Sequence, residues 1–160
     1  MRKPIAVAAG VALLAVAMVG TGQAGSGPRL SGTFSVTGSV EGNDIGIPAG
    51  TVTTDVYTFK PTCGSGGCAK VALTRKSGGR NFKSTLKKTA PGVYKGTEGP
   101  AAYTCVKPIG TPGQFTADHK IKVTKSANGR ATKISGDIKV HITGCTETFE
   151  NAKLTGKLKG

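Results

Sequence analysis

The stretch from residue 114 to 142 constrains the fold more than any other part of the chain. Asn128-Gly129 lies between two runs of alternating apolar and polar residues. Asn-Gly in that setting is the strongest short signal for a two-residue type I′ hairpin turn. Counting outward from the turn predicts that Val123 faces Ile134, Ile121 faces Gly136, His119 faces Ile138, Ala117 faces Val140 and Phe115 faces Ile142. The other face then sets Lys120 against Asp137 and Asp118 against Lys139. One register therefore collects the apolar residues on one side and two opposite-charge pairs on the other. A slip by a single residue would lose both.

The same alternation recurs in short runs near residues 32–40, 51–60, 69–76, 81–88, 92–97, 102–107, 114–125, 131–142 and 148–158. Turn clusters such as Ser77-Gly78-Gly79-Arg80 and Ala90-Pro91-Gly92 separate them, with longer connections over 41–50 and 108–113. Beyond residue 24 no segment keeps a helical period. The expected fold class is all-β, a single antiparallel meander of about 8–9 strands closing into a small up-and-down barrel of the lipocalin or calycin kind. A two-sheet β-sandwich is the alternative. Its immunoglobulin form calls for a Cys–Trp–Cys pattern, and the chain has no Trp.

Residues 1–24 differ in kind. Arg2 and Lys3 precede an apolar run from Ile5 to Val19, and small residues follow up to Ala24. That is the layout of a secretory signal peptide, with cleavage expected near Ala24. The run is short for a membrane span, which needs about 20 apolar residues. No Cys follows it to take a lipid anchor. The expected organisation is a signal peptide over 1–24 and one disulfide-stapled β domain over 25–160. The mature protein, without a transmembrane segment, is expected to be secreted or associated with the cell wall.

All four cysteines, Cys63, Cys68, Cys105 and Cys145, lie in the expected mature region. An even count in an exported chain points to two disulfides. A four-Cys zinc site usually pairs two C-x2-C doublets, whereas the gaps here are four, 36 and 39 residues. Of the three possible pairings, Cys63–Cys68 with Cys105–Cys145 is favoured, because Gly64-Ser65-Gly66-Gly67 is flexible enough to close the small ring.

Loss of Arg2 and Lys3 with the signal peptide would lower the net charge from +14 to +12. Such an excess favours anionic partners through long-range attraction, or simply keeps the protein dispersed. Nucleic acid is disfavoured as a partner: the protein is read as exported, and no run interleaves basic residues with stacking aromatics. The five Phe and three Tyr are too dispersed for that role.

No catalytic constellation emerges. The chain lacks G-x-S-x-G, H-E-x-x-H, a phosphate loop and a calcium loop. No cofactor and no metal site is expected. In the hairpin register His119 shares the apolar face, while His141 lies on the polar face opposite Thr116. The two histidines therefore cannot hold one metal. His119 is the weak candidate for ligand contact, set against the plainer reading of an interior histidine with its partners satisfied. Gly136 on the same face is the single small residue that hints at an interior cavity.

Several segments carry a resemblance. They are Tyr57-Thr58-Phe59-Lys60-Pro61-Thr62-Cys63 with Cys68 after it, Val93-Tyr94-Lys95-Gly96-Thr97, Tyr103-Thr104-Cys105, and Ile134-Ser135-Gly136 ahead of Cys145. Together they resemble poorly characterised secreted or surface-attached β domains of actinobacteria, which have an aromatic-x-F-x-P-x-C…C segment, a Y-x-G strand and two further cysteines. The likeness implies a fold and a compartment but no catalytic residues. Tyr57 stands where many of those domains have Trp. In length and expected topology the chain is also similar to biotin-binding barrels, whose pocket Trp residues it lacks.

Three functional readings follow. The first is a non-enzymatic binding or envelope-associated barrel that holds a small apolar ligand in its interior or mouth. The second is a structural protein held by charge to an anionic cell-envelope polymer. The third, a secreted enzyme, has no residues to support it.

Overall fold

A computed structural model of the protein describes residues 27–160; the expected signal peptide lies outside the described residues. Eight antiparallel strands follow one another around a closed barrel. They are β1 (Gly32–Asn43), β2 (Val52–Pro61), β3 (Lys70–Ser77), β4 (Arg80–Ala90), β5 (Val93–Thr104), β6 (Pro112–Ala127), β7 (Arg130–Thr143) and β8 (Phe149–Leu158). The last strand pairs back onto the first, with Phe34 opposite Leu158 and Val40 opposite Ala152. No sheet edge is left over, and the sandwich is set aside.

The Asn128-Gly129 hairpin has the expected register from Val123↔Ile134 through Phe115↔Ile142. Asn128 takes a positive φ of 50° and Gly129 one of 72°, as a type I′ turn requires. The charge pairs drawn across this hairpin need correcting. Asp137 receives Lys153 Nζ from β8 at 2.7 Å. Asp118 accepts the Thr97 hydroxyl at 2.6 Å and lies 3.4 Å from His141. In a twisted barrel a side chain meets a diagonal or next-strand neighbour as readily as the residue opposite.

The runs 92–97 and 102–107 are one strand, β5, rather than two. Gly99-Pro100 interrupts its pairing with β6 between Glu98 and Ala101. The inward parity therefore steps from even residues (Tyr94, Gly96, Glu98) to odd ones (Ala101, Tyr103), which is how a bulge disguises a continuous strand.

Inward positions divide the barrel along its axis. At one end Phe34, Phe59, Val71, Leu73, Leu86, Tyr94, Ile121 and Ile134 are all buried. The Phe34 and Phe59 rings meet edge to face at 5.5 Å. The chain ahead of β1 closes this end: Arg29 N–H donates to the Gly129 carbonyl at 2.7 Å, Ala131 N–H donates to the Arg29 carbonyl at 2.9 Å, and Leu30 is fully buried. Outward positions such as Thr33, Ser35, Thr37, Lys153 and Thr155 are polar, unlike the apolar band of a lipid-facing barrel. Among the described residues no helix is long and apolar enough to cross a membrane.

Both expected disulfides form. Cys63–Cys68 closes the β2–β3 connection at the plugged end, and Cys105–Cys145 ties the β5–β6 and β7–β8 connections at the other.

Candidate functional site: the open mouth of the barrel

The second end is open. The β1–β2, β3–β4, β5–β6 and β7–β8 connections form its rim. A cavity of about 350 Å³ enters between them, walled by apolar side chains that include Ile45, Ile47, Phe82, Ile138, Val140 and Ile142. Its polar lining comes chiefly from Asp55, Tyr57, Arg75, Arg80, Tyr103 and Glu150.

Three of the four rim connections are tied together. The Asp44 carboxylate, from the β1–β2 connection, accepts from the Thr148 N–H and hydroxyl, each at 2.7 Å, and from the Phe149 N–H at 3.0 Å. The bonds from Phe149 and Thr148 hold its carboxyl below the ordinary carboxylate range. Glu147 is buried and accepts the backbone N–H groups of Val106 and Lys107. Burial pushes its carboxyl up, but those backbone donors outweigh it and the net direction is down. The Cys105–Cys145 bridge sits beside Glu147, so this Cys, Cys and Glu grouping is a disulfide with a loop clamp rather than a metal-ligating set.

Beneath the cavity lies a buried charged layer. Arg75 donates to Glu98 twice, through Nε at 3.1 Å and Nη2 at 2.5 Å, and to Asp55 through Nη1 at 3.2 Å. His119 Nε2 lies 3.2 Å from the second Glu98 oxygen. An ionised carboxylate only accepts, so Nε2 carries the hydrogen of this bond. Burial works to raise the Glu98 pKa. The bonds and charges of His119 and Arg75 win, and Glu98 is held low. Tyr57 stacks edge-on against the His119 ring at 5.8 Å. Its hydroxyl is buried without a hydrogen-bond partner among the described residues, and burial raises its pKa.

The structure thus places His119 in the barrel interior on Glu98, and the mouth cavity is lined by other residues. His141 is on the outer face opposite Thr116. Gly136 does not line the cavity either. A Cβ there would strike the Lys120 carbonyl oxygen, so this glycine allows β6 and β7 to approach closely. Asp55, Arg75, Glu98 and Glu150 were not anticipated as interior groups. Their signal was parity, since Arg75 continues Val71 and Leu73, Asp55 precedes Tyr57, and Glu98 follows Tyr94 and Gly96 on the inward face. A charged residue in an apolar-phase slot marks a buried pair or a lined cavity.

A second depression lies on the outer wall among Lys87, Lys95, Lys120 and Lys139, with Asp118 and Asp137 beside them. No family model, no curated protein and no solved structure matches this chain.

Proposed function

We propose that this is an exported, non-enzymatic binding barrel that takes a small, largely apolar ligand into its open mouth. The observation that carries the reading is the 350 Å³ cavity, whose size falls in the range of small-molecule sites and whose walls are apolar with a few convergent polar groups. The rigid rim supports it, because loops held by Asp44, Glu147 and a disulfide cost little ordering entropy on binding. Export is supported by the layout of residues 1–24 and by two disulfides. The resemblance to actinobacterial surface domains belongs to the same reading, and the Cys63–Cys68 ring directly after Phe59-Lys60-Pro61 supports it.

The test is saturable binding of a neutral apolar dye such as N-phenylnaphthylamine by residues 25–160. One site per chain is expected. Ala152→Phe, which fills the cavity from β8, should abolish it. Absence of dye binding by the unaltered protein refutes the reading.

The four lysines around the outer depression favour a second reading, retention on an anionic envelope polymer. Exposed charges are screened beyond about 8 Å at physiological ionic strength, so retention on purified cell wall should fade as salt rises. Lys95→Glu with Lys139→Glu should weaken it at low salt. Retention indifferent to both salt and charge reversal would exclude this second role.

A further inference from the structure

The mouth sits in a protein of strongly positive net charge, yet the uncommitted charge inside it is negative. Of the two cations of the lining, Arg75 is charge-paired inside and Arg80 is exposed at the rim. Arg75 is held by Glu98 and Asp55, and Arg80 donates to the Ala102 carbonyl at 3.2 Å while lying over the Phe82 ring at 5.2 Å. Glu150 differs. It points inward from the start of β8 with Ala152 and Leu154, is half-buried, and its side chain makes no hydrogen bond or ion pair among the described residues. Burial and the Asp55 charge raise its pKa while Arg75 pulls it down, so both groups are within electrostatic reach. The second uncommitted group is the Tyr57 hydroxyl, on a fully buried side chain that lines the same cavity.

Resting on the reading of the mouth as a ligand site, we infer that its ligand is a small organic cation. An ammonium or amidinium group would be held by the Glu150 carboxylate and the Tyr57 hydroxyl, and an apolar body would lie against Ile138, Val140 and Ile142. An anionic head finds no free cation inside, because a third carboxylate on Arg75 would crowd Asp55 and Glu98 and the remaining cation, Arg80, is exposed at the rim. A neutral head could use Tyr57 but would leave Glu150 desolvated and unpaired, which is costly. A cation supplies the charge that Glu150 lacks, and charge-assisted hydrogen bonds are the stronger kind.

Three probes with one tail separate the possibilities: octylammonium, 1-octanol and octanoate, titrated calorimetrically into residues 25–160 at neutral pH. Octylammonium should bind about tenfold or more tighter than octanol, and octanoate weakest. Glu150→Gln should bring octylammonium down to the octanol level and leave octanol nearly unchanged. Tyr57→Phe, which keeps the ring, should weaken octylammonium several-fold and guards against a folding defect in the first variant. Equal binding of octanol and octylammonium, or tightest binding of octanoate, overturns the cation assignment while the apolar-ligand reading stands. A cation preference that survives Glu150→Gln overturns the role of Glu150. If none of the three binds while the neutral dye still does, the cation assignment falls and the reading beneath it stands; if the dye fails as well, both fall.

Discussion

At the plugged end Phe34, Phe59, Leu73, Leu86, Tyr94 and Ile121 fill the barrel, and Leu30 seals them from below. At the open end the same strands send in Asp55, Arg75, Tyr103 and Glu150 among aliphatic walls, and a cavity remains. The rims differ as well. The plugged end closes by backbone bonds from Arg29 to the β6–β7 hairpin, whereas at the open end Asp44, Glu147 and a long-range disulfide tie the rim connections to one another. Tight packing on one side allows charged groups and empty volume on the other. The Arg75–Glu98–His119 layer marks the boundary, buried and joined through Glu98, and close enough to the mouth to shape its electrostatics.

Truncating the same residue type at both ends should give the largest contrast between plug and mouth. Leu73 is buried beneath the charged layer, and Leu154 is nearly as buried but lines the cavity. Leu73→Ala opens a void in a packed region and should cost about 3–5 kcal/mol. Leu154→Ala enlarges space that already exists and should cost about 2 kcal/mol or less. Urea denaturation of both variants gives the values. Equal losses would mean that the mouth is packed as tightly as the plug.

The disulfides make the second comparison. Cys105–Cys145 joins residues 40 apart, and Cys63–Cys68 joins residues five apart. By loop-closure entropy the first contributes about 4 kcal/mol and the second about 2. Paired Cys→Ser variants should therefore rank in that order in thermal melts. The open-end variant should also lose dye binding, because its rim loops are released. A larger loss from the small ring would place the stabilising cross-link at the plugged end.

The inward carboxylates should respond oppositely to pH. Glu98 is held low in the folded state, so its contribution is full above the unfolded value of about 4.3 and is lost as pH falls through its lower folded value. Glu98→Gln leaves Arg75 and His119 short of a charge and should cost about 2–3 kcal/mol at neutral pH, with the deficit shrinking in acid. Burial and Asp55 raise Glu150, so folding favours its protonated form and stability falls as pH rises through that range. Glu150→Gln should be neutral or slightly stabilising at neutral pH and should make no difference in acid. Matching pH profiles for the two variants would remove the distinction between the paired layer and the mouth.

How much of this was legible in the sequence follows from where alternation was clean. The β6–β7 register came from one turn and uninterrupted parity, and the structure reproduces it residue by residue. At β5 the bulge around Gly99-Pro100 shifted the phase, and one strand read as two. The plug was visible as apolar alternation. The mouth was not, because a cavity is a property of distant strands meeting, and Asp55, Arg75 and Glu150 come from three of them. Gly136 misled for the same reason. A missing side chain can make room for a ligand or for a neighbouring backbone, and only the position of the Lys120 carbonyl decides between them.

The smallest effect concerns the outer wall, where the hairpin register is right but its charge partners changed. Lys153 reaches Asp137 at 2.7 Å and Glu41 at 3.5 Å, bridging β7, β8 and β1 on the outside of the barrel. Asp137→Lys should therefore couple to Lys153→Asp and not to Lys120→Asp, although Lys120 is the residue opposite in the ladder. The coupling should be well below either core truncation, because exposed pairs gain little and order two side chains. It should also vanish at about 1 M salt, where the Debye length falls to about 3 Å. A double-mutant cycle in low and high salt measures it. Coupling to Lys120 instead would restore the direct cross-strand pairing of the flat hairpin. Coupling that persisted in salt would mean that this part of the wall is covered in solution, as it would be if a partner lay across it.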